Sequence, residues 1–369
     1  MNRGAIAFYL ATSGHSGVDR VMSNLITEIA ARKIPVDLLQ VRNHGPRLKS
    51  VPDNVRLIDL GTSHVNSSFF ALLQYLRREK PQALLSDKDR LNRLAIVARA
   101  LSGVPIRLAV RMGTTVSENL VKRSWFDRKL QYFSIRHLYP KADAVLVPSQ
   151  GAADDIIRIG GLPMQKVKVV PSPVVTPQVD ELALQTPDHP WLREPSVPVI
   201  LGVGELSERK DFATLIRAFA RLRQSRHLRL IILGEGKKRA SLTDLVRELG
   251  VGDDVDLPGF TQNPYACMAR SSIFILCSRC EGAPVVLMEA LACGTPAIST
   301  DCPSGPREIL QNGRLGKLVP VGDDEALASA MEQTLDNPPE GQLLREGALP
   351  FRADVSADRY LEALGISYD

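Results

Sequence analysis

The 369-residue sequence has no apolar run near the roughly 20 residues that carry a helix across a bilayer, which argues against a membrane-spanning helix. The apolar stretch from Ala5 to Ala11 resembles the middle of a signal peptide, yet Gly14, His15 and Asp19 follow without a small-residue cleavage site. It reads as the first buried strand of a cytoplasmic protein. Cysteine is scarce and odd in number: Cys267, Cys277, Cys280, Cys293 and Cys302 argue against a disulfide framework in a chain of this size. Cys277 and Cys280 have C-x-x-C spacing, but no second pair or nearby histidine completes a zinc site, so the cysteines read as small packing groups. Two tryptophans, seven tyrosines and ten phenylalanines leave little material for aromatic carbohydrate platforms. The compact G-x-G-x-x-G of dinucleotide folds is missing, which weighs against a dinucleotide-dependent oxidoreductase. No carboxylate cluster occupies an obvious metal-binding loop, and no metal is required.

What the chain does have is length for about two domains, with 44% hydrophobic and 24% charged residues, a soluble globular balance. Charge is uneven. Residues 1–180 carry 26 Lys and Arg against 14 Asp and Glu, a net of +12, while residues 181–369 carry 20 against 27, a net of −7. A basic half suits an anionic ligand, an anionic membrane surface or nucleic acid, without choosing among them.

Short apolar runs alternate with amphipathic ones throughout. In the first half the runs at 5–11, 36–41, 55–59, 83–86, 106–110, 144–147 and 167–170 predict strands, and 18–32, 69–79, 91–101, 125–138 and 152–159 predict helices. Seven prolines between Pro171 and Pro198 interrupt this rhythm and mark the domain boundary. The pattern then restarts, with strands at 199–203, 228–233, 255–257, 273–277, 297–300 and 316–319. Helices fall at 212–222, 242–249 and 325–335, and a last helix at 355–364 is placed to pack back on the first domain. Both halves read as doubly wound α/β domains, and a crevice between two such domains is where a ligand is expected.

The run from Cys280 to Gly294 is the most informative. Pro284 suits the first turn of a helix and Gly294 its exit; between them every residue from 285 to 292 is apolar except Glu289. A helix apolar on nearly every face is buried, and a carboxylate within it needs a hydrogen-bond partner. That partner is either a protein donor or the adjacent hydroxyls of a ligand diol. Glu281 stands at the mouth of the same helix, where the N–H groups of Gly282 and Ala283 can meet a phosphate; as a plain alternative it caps the helix dipole. Gly204 leads from a strand to Arg209 and Lys210 just before a helix, a place where this architecture binds anions, although a solvated surface pair has the same sequence. Ser304 reads as the cap of a further short helix that continues through Pro306, Arg307 and Glu308. In the first half, Gly14, His15 and Gly17 form a glycine-containing loop after the opening strand, and Gly17 permits close approach of a ligand.

Taken together these stretches resemble the family 4 glycosyltransferases, retaining enzymes of the GT-B fold, in which two Rossmann-like domains face a central cleft. Glu281 and Glu289 match the family's glutamate–seven residues–glutamate signature, Gly14 to Gly17 its glycine-rich loop, and Gly234-Glu235-Gly236 its Gly-x-Gly turn. Lys210 matches the phosphate-binding lysine, while Glu205 occupies the usual arginine position and Arg209 stands in for it. The resemblance implies residues 1–175 as an acceptor-binding domain, 176–350 as a nucleotide-sugar-binding domain, and 351–369 as a helix returning to the first. It implies that Glu289 holds the ribose, that Glu281 contacts the donor sugar, and that Lys210, Arg209 and the N–H groups near Gly282 stabilise the departing diphosphate. Gly14, Gly17, Gly204, Gly234 and Ala283 would shape the donor pocket. Asp87, Asp89 and Arg111 are candidates for lining the acceptor side.

The run Asp301 to Leu310 resembles members that build bacterial surface polysaccharides from UDP-sugars. The implied donor is therefore a UDP-sugar with no further cofactor, and the implied acceptor a saccharide or lipid-linked saccharide. Residues 122–130, which mix cations with Trp125 and Phe126, are placed to rest on an anionic inner membrane, or else form a soluble helix with a basic face. Two other readings compete: a UDP-sugar epimerase of the same architecture, against which the paired glutamates weigh, and a non-enzymatic basic protein that binds membrane or nucleic acid, which leaves Glu289 unexplained.

Overall fold

The computed structural model describes residues 4–12, 17–41, 44–48, 50–62, 64–120, 123–194 and 196–367. The first part of the chain runs β1 (Ile6–Leu10), α1 (Gly17–Ala31), β2 (Val36–Gln40), β3 (Val55–Asp59), α2 (Ser68–Glu79), β4 (Ala83–Asp87), α3 (Asp89–Ser102), β5 (Arg107–Arg111), α4 (Val116–Leu120), α5 (Trp125–His137), β6 (Ala144–Val147), α6 (Gln150–Gly160) and β7 (Val167–Val169). The second runs α7 (Pro177–Ala183), α8 (Pro190–Arg193), β8 (Val199–Val203), α9 (Phe212–Arg223), β9 (Arg229–Leu233), α10 (Arg239–Glu248), β10 (Val255–Gly259), α11 (Pro264–Arg270) and β11 (Ile273–Leu276). It continues through α12 (Val285–Ala292), β12 (Ala297–Thr300), α13 (Pro306–Ile309), β13 (Gly316–Val319), α14 (Asp324–Asp336) and α15 (Gly341–Ala348), and the chain closes with α16 (Ala353–Leu364).

Two compact units result. One holds Met1–Val174 with Phe351–Asp369, the other Val175–Pro350. The first is built on a sheet in the order β3-β2-β1-β4-β5-β6-β7, the second on one in the order β10-β9-β8-β11-β12-β13. Among the described residues every pairing between these strands is parallel. Parallel strands covered on both faces must be apolar on both, which is why β1 and β11 are buried at every residue. Both orders reverse direction beside the first strand of the unit, the doubly wound arrangement expected from the sequence pattern.

The proline-rich segment is more structured than a plain connector. Pro177 and Pro190 each begin a short helix, where a missing N–H costs nothing, and α7 packs on α11 of the second unit.

The C-terminal helix α16 belongs to the first unit and is held there by polar contacts with α1 and β5. Arg32 Nη2 donates to the Asp354 carbonyl at 2.9 Å and pairs with Asp358 at 2.7 Å. Arg111 Nε donates to the Tyr360 hydroxyl at 2.9 Å, while Nη1 pairs with Asp87 at 3.1 Å. All three of these residues are buried. Burial works against the Arg111 charge, but Tyr360 and Asp87 outweigh it and raise the pKa above the usual guanidinium value. Removing one member of a buried ion pair leaves the other uncompensated, at a cost of about 3–5 kcal/mol. Arg111→Met should therefore lower the thermal unfolding midpoint markedly, and adding Asp87→Asn should recover much of that loss in the same calorimetric scan.

Candidate functional site

Three elements of the second unit converge on Glu281. Strand β11 ends at Leu276 and leads through Cys277 to Cys280; the loop after β8 brings Arg209 and Lys210; α12 begins just beyond. Lys210 Nζ and Arg209 Nη1 both donate to the same oxygen, Glu281 Oε1, each at 2.8 Å. Lys210 and the Glu281 side chain are nearly buried, while 42% of the Arg209 side chain is exposed. Burial alone would push the Glu281 carboxyl up. The charges of Lys210 and Arg209 overcome it and hold the pKa below the ordinary glutamate value.

The loop is fixed from both ends. Arg279 N–H donates to the Arg209 carbonyl at 2.8 Å, and the Cys277 thiol donates to the Lys210 carbonyl at 3.1 Å. Asp211, in the left-handed region at φ 47°, takes the Arg279 guanidinium at 2.9 Å and the Thr214 hydroxyl at 3.0 Å. Nothing in the sequence announces this Asp211–Arg279 pair, whose partners lie 68 positions apart and carry no shared pattern. Glu205 is exposed.

Two glycine turns press against each other beside this loop. Gly204 N–H donates to the Leu233 carbonyl at 3.0 Å and Leu206 N–H to the Glu235 carbonyl at 2.9 Å. A Cβ on Gly234, whose φ is 137°, would stand 2.0 Å from the Gly204 carbonyl oxygen, so backbone contact excludes any side chain there.

Pro284 sits at the N-cap of α12, not inside its first turn, and Gly282 and Ala283 lie in the turn before the helix. The helix-start N–H groups accordingly begin at Val285, downstream of the two positions expected from sequence. Ser304 is not a cap either: Gly305 precedes α13, and Ser304 Oγ donates to the Gly282 carbonyl at 3.2 Å. A Cβ on Gly305 would meet that carbonyl at 2.6 Å, so this second loop packs directly on the turn after Glu281. Arg307 pairs with Asp301.

Glu289 is wholly enclosed, and Tyr265 on α11 donates its hydroxyl to Oε1 at 3.1 Å. The protein donor that the apolar helix demands is therefore present. Tyr265 had no signal in the sequence, because nothing in the spacing links position 265 to position 289. Burial pushes the thiols of Cys277, Cys293 and Cys302 up to about 12, consistent with packing groups.

In the first unit, Gly14 and His15 lie outside the described residues, and Gly17 opens α1 in an exposed position. Asp87 and Asp89 line a cavity of about 830 Å³ together with Lys88, Arg90 and Arg93. Arg111 does not line it, its guanidinium being committed to Asp87 and Tyr360. Lys88, at φ 76° between β4 and α3, is held in a region costly for a lysine. Among the described residues no cluster of three or more His, Cys, Asp or Glu could hold a metal ion, and no helix is long and apolar enough to cross a membrane.

Comparison with known proteins brings both units under glycosyltransferase models. Residues 16–173 match "Glycosyl transferase 4-like domain" and residues 189–348 match "Glycosyl transferases group 1". Over 342 residues, 90% of either chain, the sequence is 29% identical to the Campylobacter jejuni N-acetylgalactosamine-N,N'-diacetylbacillosaminyl-diphospho-undecaprenol 4-alpha-N-acetylgalactosaminyltransferase. It is 30% identical over 247 residues to the lipopolysaccharide core biosynthesis glycosyltransferase LpsE of Rhizobium meliloti, covering 65% of this chain and 67% of that one. The fold is also that of Anabaena HepE, solved in complex with UDP, with a TM-score of 0.76 at 17% identity over 98% of this chain and 99% of the other. With models matched in both units and these relatives beside them, the chain belongs to the GT-B glycosyltransferases and resembles the family 4 members that build bacterial surface polysaccharides.

Proposed function

We propose that this chain moves a sugar from a nucleoside diphosphate sugar, a UDP-sugar, to a hydroxyl of a saccharide or lipid-linked saccharide in cell-surface polysaccharide biosynthesis, with retention of anomeric configuration. The second unit takes the donor and the first the acceptor. The chain works as a cytoplasmic protein in peripheral contact with an anionic inner membrane, and nucleic acid has no part in it. The observation that carries this reading is the trio of Lys210, Arg209 and Glu281 at the start of α12. The names of the two relatives, and the UDP bound to HepE, agree with it.

The chemistry follows from that trio. Breaking the anomeric bond sends negative charge onto the departing diphosphate, so the barrier falls where cations are already in place. Glu281 holds both cations at fixed positions and, counted as formal charges, the trio keeps one positive charge for the phosphates. Lys210 and Arg209 receive that charge in this reading, with the N–H groups at the start of α12, while Glu281 faces the donor sugar. A front-face transfer lets the leaving phosphate take the acceptor proton, so no covalent role is asked of Glu281.

The ribose role of Glu289 asks more. The enclosed carboxylate would have to gain an opening toward the nucleotide, with Tyr265 continuing to hold one oxygen. Glu289→Gln should weaken UDP binding by calorimetry; binding equal to wild type would leave that glutamate only the task of joining α11 to α12.

The overall reading is tested by incubating the protein with UDP-, GDP- and ADP-sugars plus lipid-linked acceptor extract and weighing the products. Acceptor mass gain with one donor and release of its nucleotide is expected. Free sugar with no acceptor product would point to an epimerase. Lys210→Ala should cut kcat by about 10²–10³, the usual cost of removing one preorganised donor to a developing charge. The Glu281 carboxylate stabilises the folded site fully above the ordinary glutamate value of about 4.3, and this contribution is lost as pH falls through its lower folded value. Its ionisation should leave no step in the pH–rate profile between neutrality and about pH 5.

A further inference from the structure

We propose that helix α5 of the first unit seats that unit on an anionic bilayer through one continuous aromatic and basic face. At 3.6 residues per turn, Trp125, Phe126, Lys129, Phe133, Arg136 and His137 fall within roughly a third of the helix circumference. The buried residues of the same helix, Ser134 and Ile135, point the other way. Trp125, Phe126 and Phe133 are 68%, 67% and 57% exposed, in a chain with only two tryptophans. Aromatics left in water along one ridge of a thirteen-residue helix bury nothing of the unit's own core.

The charge on this face has one sign. Lys129 lies over the Trp125 ring at 4.2 Å, His137 lies beside Phe133 at 4.6 Å, and Arg136 sits between them. Arg128 flanks the ridge, while Arg123, just before the helix, lines the cavity behind it. The helix has one acid, Asp127, which faces away from the ridge and accepts from the Ser124 hydroxyl at 2.9 Å at the N-cap. A self-complementary contact with a second copy would set cation against cation. Aromatics that enter the acyl boundary while lysine and arginine reach the head groups fit a helix lying in the plane of an anionic interface.

The other side of α5 gives this seat a purpose. Asp127, Leu130 and Gln131 line the 830 Å³ cavity that also holds Lys88, Arg90 and Arg93 beside Asp87 and Asp89. A bilayer under the outer face brings lipid-borne head groups to the edge of that cavity. This purpose rests on the reading of a lipid-linked acceptor; the seat itself does not.

The test is sedimentation of the intact protein with vesicles, in the absence of donor and acceptor. Equimolar phosphatidylglycerol and phosphatidylcholine vesicles should carry most of the protein down, pure phosphatidylcholine little. A Trp191→Phe background leaves Trp125 as the sole tryptophan reporter, and its emission should shift to the blue on binding. Replacing Trp125, Phe126 and Phe133 together by Ala should cut the bound fraction about tenfold or more, with an unchanged far-ultraviolet spectrum. Replacing Arg128, Lys129 and Arg136 by Gln should abolish the preference for phosphatidylglycerol.

The proposal is overturned if wild-type protein stays in the supernatant with anionic vesicles, or if the aromatic variant binds like wild type. It also fails if the ridge proves instead to carry a dimer in ultracentrifugation or to bind an RNA oligonucleotide. Failure of vesicle binding with intact donor turnover would remove the seat and leave the transferase standing; vesicle binding without turnover would do the reverse.

Discussion

One carboxylate oxygen accepting from two cations is the contact on which the proposed donor site of this protein depends. Glu281 Oε1 draws Lys210 from one loop and Arg209 from its exposed rim to the same point, and both bonds are 2.8 Å long. Two cations left side by side in a nearly buried place would repel; with the carboxylate between them they are held ready and the cluster stays net positive. The backbone around it is arranged to allow nothing else. Arg279 and Cys277 bind the carbonyls of Arg209 and Lys210, and the Gly204 and Gly234 turns touch without room for a methyl group. Such a site needs little rearrangement when charge develops, which is the economy of electrostatic preorganisation.

The inner strands were readable because parallel, doubly covered sheets demand apolar runs, as β1, β6, β11 and β12 show. The outer strands β3, β7 and β13 are part exposed and carry charged residues, and were legible as short apolar stretches between turns. The paired glutamates, the lysine and the glycine turns were readable as a spacing. Helices α4, α7, α8, α11 and α15 escaped because four to eight residues make too short a period, and because proline reads first as interruption. Pro177 and Pro190 show the other side of that rule, since proline at the first helical position is favoured. The partners around the Arg209–Lys210 loop and Glu289 escaped for a different reason. Asp211, Arg279 and Tyr265 act through contacts made only after the sheet brings distant segments together, and no local pattern announces them.

Two expectations were displaced by a few residues, and the displacement has a cause. Pro284 at the N-cap moves the start of α12 to Val285, so the turn of Gly282 and Ala283 is free to be covered by the Ser304–Gly305 loop. The loop after β12 therefore buttresses the turn after Glu281 instead of offering a second capped helix. Arg111 was displaced in role. Its place at the end of β5 suggested a ligand-facing side chain, but the return of α16 puts a tyrosine hydroxyl and an aspartate on its guanidinium and closes it off.

Charge counted by halves misleads about where anions bind, and the reason is instructive. The proposed diphosphate site lies in the half with a net of −7, because two cations held by one carboxylate matter more at short range than a regional excess. In the basic half much of the positive charge is already answered. Arg56 pairs with Asp37 and Glu79, Arg32 with Glu28 and Asp358, Arg99 with Asp143, and Arg111 with Asp87. Each of these arginines fastens a strand or helix to its neighbour, and none adds to an external field in proportion to its formal charge. What distinguishes the cations of α5 is that they stand among exposed aromatics on a ridge without acids, so their field is not cancelled locally. An excess of +12 becomes a surface property only where it escapes pairing, and one face of α5 is such a place.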